Sequence, residues 1–181
     1  MTRGHCPWVF FYERNRMSNL IDGLLFGWKK NEDYAARLVA DLSQEQMSLQ
    51  LVETGAPANH PAWILSHLNV YLPVLEGIIS GNEFEDPRDH RFGMLSKPES
   101  DPDLYESKDQ LITTFLDGHQ RVRELLQEHG DAALQNEIKL PRWQDVMPTA
   151  AYAIPYLMFN HENMHLGQLS AWRRIQGLPS V

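Results

Sequence analysis

Apolar residues in this chain recur with the 3.6-residue period of an α-helix in four separate segments, and this repeat constrains the fold more than any other feature. The first segment runs from Met17 to Leu42. It places Leu20, Ile21, Leu24, Leu25, Trp28, Ala35, Leu38, Val39 and Leu42 on one face, with Ser18 or Asn19 as the cap. Asp41 to Gln46 then reads as a turn into a short helical piece. The second segment covers about residues 59–79, with Asn59 as N-cap, Pro61 in the first turn and Gly81 as the stop. Pro73 falls inside it and is expected to kink it. The third segment opens with the capping-box spacing Ser107-Lys108-Asp109-Gln110 and ends at Gly130. The fourth starts between Thr149 and Pro155 and reaches Gln176, with Gly177 and Pro179 as stop signals. No run shows strand-type alternation, and there is no internal repeat. Helices with one apolar stripe bury it against one another, so the pattern predicts an all-α four-helix bundle.

Two long connections interrupt this pattern, residues 82–106 between helices 2 and 3 and residues 131–148 between helices 3 and 4. The first is acidic, carries Pro87, Pro98 and Pro102, and reads either as a solvated connector or as a cover over a site. Residues 1–16 are aromatic and basic without a helical period. They read as an extension, disordered or arising from start-site assignment, with Met17 as the candidate initiator. Residues 17–181 then form one domain, which the length of 181 residues suits.

Composition narrows the function classes. The net charge is −8 and the 16 Lys and Arg are scattered, which argues against a nucleic-acid partner. No stretch approaches the roughly 18–20 apolar residues of a membrane-spanning helix, and residues 7–12 do not read as a signal peptide. The single cysteine, Cys6, has no internal disulfide partner, which suits a reducing cytoplasm.

Within the fourth helix, His161-Glu162-Asn163-Met164-His165 stacks two imidazoles one turn apart on one face. Two such rings can chelate one metal ion, and a reactive site takes three protein ligands and keeps a position open. The five residues also match the His-Glu-x-x-His pattern of zinc metalloproteases. Residues 166–181, however, contain no His, Asp, Glu or Cys to supply the usual downstream ligand. The third ligand must therefore come from upstream. His67 is mid-helix on an apolar stripe and is the best candidate. His119 on the third helix also faces inward, and His60 shares the face of His67 from the helix start. Three inward histidines could alternatively be satisfied core groups, since unpaired polar atoms in a core cost about 1–3 kcal/mol each.

Three stretches resemble the DinB-like superfamily, whose thiol-transferase members include bacillithiol- and mycothiol-dependent enzymes. They are Asn59 to Leu68, in which a Trp-x-x-x-His run ends at His67; His161 to Leu169, which is similar to a His-x-x-x-His-x-Gly-Gln motif; and Arg173 to Pro179. Phe92-Gly93 in the long loop is also similar. The resemblance covers about residues 17–181. It implies a metal-binding four-helix bundle with ligands His67, His161 and His165, and a cytoplasmic protein, often a homodimer. It also implies a divalent metal, zinc or nickel foremost and iron or manganese next, that activates a low-molecular-weight thiol or a water toward a small molecule. The N-terminal extension and Pro73 depart from the family pattern.

Three neutral imidazoles leave the metal its full charge, which lowers the pKa of a bound water toward about 7. Two reaction classes follow, thiol transfer to an electrophile and hydrolysis of an ester or amide. Cys6 lies outside the bundle, so a thiol would come from a cofactor. A non-catalytic metal-binding or ligand-sensing bundle is the alternative, and closure of the shell by His119 would favour it. Gln168 shares the face of His161 and His165 and is the candidate to support a ligand or touch substrate. Glu162, rotated about 100° from His161, is expected at the rim as a solvated group, or else as a base. Trp63 is a candidate wall for the cofactor or substrate pocket, as is Trp172, though packing would occupy either.

Overall fold

The first apolar repeat forms α1, Asn19–Ala40, in the computed structural model, which describes residues 19–50 and 58–181. Residues 1–16, Met17, Ser18 and Cys6 lie outside the described residues. Ile21, Leu25, Trp28, Ala35, Leu38 and Val39 are buried along α1, whereas Leu20, in the first turn, is exposed. The turn that follows caps α2, Gln44–Met47. Ser43 Oγ accepts from the Gln46 backbone N–H, and the Gln46 side chain accepts in return from the Ser43 N–H.

Helix α3, Pro61–Ser80, is capped by His60 rather than by Asn59. The His60 Nδ1 lies 3.3 Å from the Trp63 N–H and 3.0 Å from the Met47 carbonyl, and its Nε2 lies 2.8 Å from the Glu99 carbonyl. An imidazole can therefore close both the helix start and the long loop, and Asn59 is free for a different role described below. Gly81 ends the helix at φ 67°, where a side chain would be strained. Pro73 lies on the exposed side, and α3 runs through it. Contrary to the composition-based expectation, α3 is by length and hydropathy alone apolar enough to cross a membrane. Its apolar window is nevertheless 78% buried against the rest of the protein.

The capping box of Ser107 and Gln110 starts α4, Lys108–His129, as expected. Gly118 lets α3 and α4 approach closely, since a Cβ there would lie 2.4 Å from Leu72 Cδ1. The connections are less irregular than their composition suggests. Residues 82–106 hold two 3₁₀ turns, Pro87–Asp89 and Pro102–Leu104, and a third covers Gly130–Gln135. Helix α5, Pro141–Gln144, follows, and the Glu137–Thr149 pair is an isolated β-bridge.

The last long segment is helical from Ala150 to Ile175 but not uniformly α. Helix α6, Ala150–Pro155, passes into a π-helical stretch, Tyr156–His161, and then into α7, Glu162–Ile175. Pro155 has no N–H to give to the preceding turn, and a π segment is one way to absorb that defect. Helices α1, α4, α3 and α7 form a closed ring of neighbours, each packed on the next. They share one apolar core that includes Trp28, Ile64, Leu75, Phe115, Val122, Leu126 and Leu169. Among the described residues there is no β-strand, and the fold is all-α.

Candidate metal centre

Helix α3 contributes His67. His161 closes the π-helical stretch, and His165 follows one turn later on α7. The three rings converge between α3 and the last segment, and one ligand atom from each lies within 4.8 Å of the others. The ring centroids of His67 are 4.5 Å from His165 and 5.0 Å from His161.

The ring nitrogens are assigned by their outer partners. His67 Nδ1 is 2.6 Å from the Phe92 carbonyl, which only accepts, so Nδ1 carries the proton and Nε2 presents a lone pair inward. His165 Nδ1 likewise donates to Gln168 Oε1 at 3.0 Å. The Nε2 atoms of His67 and His161 are 2.9 Å apart. Two lone pairs do not face each other at that distance without a proton or a cation between them. Tetrahedral zinc with Zn–N of 2.0–2.1 Å spaces its nitrogens about 3.3 Å apart. A His161 N–H donating to the His67 lone pair accounts for the 2.9 Å, and the neutral nitrogen donor set, gathered within 4.8 Å, fits a divalent metal ion.

Burial keeps these rings uncharged. It pushes His67 down to about 4 and His161 down to about 3, with neighbouring imidazoles adding to the effect. Burial also lowers His165, while Gln168 opposes that shift. Depressed histidines bind fewer protons in the folded than in the unfolded chain below the ordinary value of 6.5. The stability of the metal-free protein is thus expected to rise with pH from about 4 to 6.5 and to level off above. Thermal melts across that range check this, and a midpoint that does not move would contradict it.

The supports of the triad extend outward. Asn59 Nδ2 donates to Gln168 Oε1 at 2.9 Å, so one oxygen fixes both the ring of His165 and the chain just before α3. Gly93 holds the other support. A Cβ there would fall 1.8 Å from the Pro87 carbonyl oxygen and 2.8 Å from that of Arg88. Gly93→Ala must shift the loop and with it the Phe92 carbonyl. It is expected to weaken metal binding about 10–100-fold, the range for lost outer partners of a ligand. A chelator-competition titration reads this, and unchanged affinity would show that the Phe92 contact is dispensable.

His67, His161 and His165 line a cavity of about 570 Å³. Trp63 forms part of its wall and stacks on His67 with centroids 4.8 Å apart, and its Nε1 donates to Ser96 Oγ at 3.1 Å. Trp172 is instead a core residue whose Nε1 donates to the Leu49 carbonyl. Tyr71, Arg142 and Trp143 also line the cavity, and no motif or spacing in the sequence marks them. The Tyr71 ring is 4.4 Å from that of His161, and burial raises its hydroxyl pKa.

The other candidates are elsewhere. His60 is the cap of α3. His119 is fully buried, stacked on Trp28 at 3.8 Å, with Nε2 3.1 Å from Glu162 Oε2. Glu162 is not the expected rim group, for it is only 4% exposed and also accepts from Trp28 Nε1 at 3.0 Å. A 100° rotation from His161 does not reach solvent in a ring of four helices. It reaches the next neighbours, α1 and α4.

No curated protein matches the chain in sequence. A family model, that of the DinB superfamily, matches residues 28–169, which span α1 to α7 and contain all three histidines. The chain belongs to the DinB superfamily.

Proposed function

We propose that the protein is a metal-dependent enzyme acting on a small molecule, a thiol S-transferase or a hydrolase, with His67, His161 and His165 as its ligands. The carrying observation is that three neutral imidazoles converge on one point while lining a 570 Å³ cavity. His119, whose participation would have favoured a closed structural site, is held by Glu162 instead. The bound ion, zinc or nickel before iron or manganese, supplies Lewis-acid activation of a water or of a low-molecular-weight thiol. The chain's own residues orient and enclose. Gln168 and the Phe92 carbonyl lock the tautomers of His165 and His67. Trp63 and Tyr71 wall the site, and the Tyr71 hydroxyl, kept protonated by burial, is available as a hydrogen-bond donor to a bound substrate.

Family resemblance and the acidic charge support the rest of the proposal, a cytoplasmic homodimer with no nucleic-acid or membrane partner. Metal analysis of protein purified without a histidine tag is the direct test. About one zinc, nickel, iron or manganese per chain is expected. No metal as isolated and no uptake on reconstitution would defeat the proposal, and metal without turnover of any thiol acceptor or ester would favour a sensing bundle.

A further inference from the structure

Exposed apolar side chains are ordinary when scattered and informative when gathered. Met94, Val146, Tyr156 and Met164 are 55%, 69%, 46% and 53% exposed, and all four line the cavity that holds the histidine triad. They come from three separate parts of the chain, namely the long loop after α3, the segment after α5, and the last helix. Local sequence bias does not explain their meeting.

The charge in this cavity is also accounted for. Arg142 is the lining residue with a formal charge, and its guanidinium is engaged by the Asp86 carboxylate, with Nε 2.8 Å from Oδ2 and Nη2 2.6 Å from Oδ1. It also lies over the Trp143 ring at 4.9 Å. The Asp86 carboxylate neutralises that charge, which weakens its pull on a carboxylate or phosphate of a ligand. The Trp63 indole N–H is already given to Ser96. Among the described residues, the Tyr71 and Tyr156 hydroxyls are the main partners left for a polar end, and desolvating a hydrophilic body in the rest of the cavity would be costly.

We infer that this cavity takes an uncharged substrate with an apolar body, a medium-length alkyl or an aryl group, whose polar reacting end faces the triad. The apolar body lies along Trp143 and Tyr156 and leaves past Met94, Val146 and Met164. Flexible thioether side chains at two of these positions tolerate variation in the body's shape. The volume of about 570 Å³ is that of an ordinary small-molecule site. This inference rests on the triad being an open metal site.

The test uses the zinc-loaded full chain and a series of alkyl hydroxamates from acetohydroxamate to octanohydroxamate, measured by calorimetric titration. Each hydroxamate carries the same zinc-binding head, so the slope with chain length reports the cavity. Affinity is expected to rise about three- to fourfold per methylene. An ω-carboxylate on the longest member should cost at least tenfold. Val146→Asp, at an exposed position, should reduce octanohydroxamate binding at least tenfold and flatten the series while leaving the helical circular dichroism intact. A flat series in which acetohydroxamate binds overturns the apolar cavity and leaves the metal site standing. Failure of every hydroxamate to bind zinc-loaded protein would show that the bound metal keeps no open position, and overturns the inference together with the reactive site on which it rests.

Discussion

His165→Ala is expected to abolish stoichiometric metal uptake. His165 supplies one of the three clustered ligand atoms, and its ring is held by Gln168 at Nδ1. Its removal leaves two nitrogen donors where an open reactive site uses three protein ligands. It also leaves Gln168 bonded only to Asn59. Gln168→Ala provides the scale. Loss of that outer partner should cost about 10–100-fold in affinity, and loss of the ligand itself should exceed it. Metal content by elemental analysis, with chelator competition for weaker binding, separates the three proteins. Unchanged metal in His165→Ala would show that the ligand set is wrong.

The second large effect is expected in the core, away from the metal. Glu162→Ala strands the Trp28 and His119 N–H groups, both fully buried, which share Glu162 Oε2 as acceptor. An orphaned buried donor costs about 1–3 kcal/mol, so about 3 kcal/mol or more is expected from the pair together with the void left behind. For a chain of this size that lowers the melting temperature by about 6–12 °C. Glu162→Gln keeps an acceptor oxygen and should lose much less. Equal losses in the two variants, or none, would show that the carboxylate does not hold α7 to α1 and α4.

These two residues show what the sequence made legible and what it did not. His161 and His165 are four positions apart in one helix, so their meeting follows from local geometry. His67 was favoured because no ligand follows residue 165 and because a Trp-x-x-x-His run ends there. The surroundings of Glu162 were not legible, because Trp28 is 134 positions away and His119 43. No spacing rule connects them, and only the packing of four helices does. The Phe92 carbonyl was hidden for another reason. A backbone oxygen has no residue signature: the family resemblance marks Phe92-Gly93, but the reason for the glycine shows only when the Pro87 carbonyl is seen against it. The helix boundaries came through because capping is local, and the exception was His60, an imidazole doing the work expected of Asn59.

The π-helical stretch from Tyr156 to His161 has an evolutionary consequence. A π turn holds one more residue than an α turn, so the parts of the last helix on either side of it keep separate registers. Residues before it answer to core packing by Ala150, Ala153 and Ile154, whereas its last residue, His161, and the helix after it answer to the placement of the ligands His161 and His165. Removal of one residue between Pro155 and His161 would restore a plain α-helix and turn everything beyond by about 100° relative to α6. Substitutions in this stretch should therefore be tolerated far better than changes in its length. Relatives that lack the extra residue should carry their ligands at other positions or carry none.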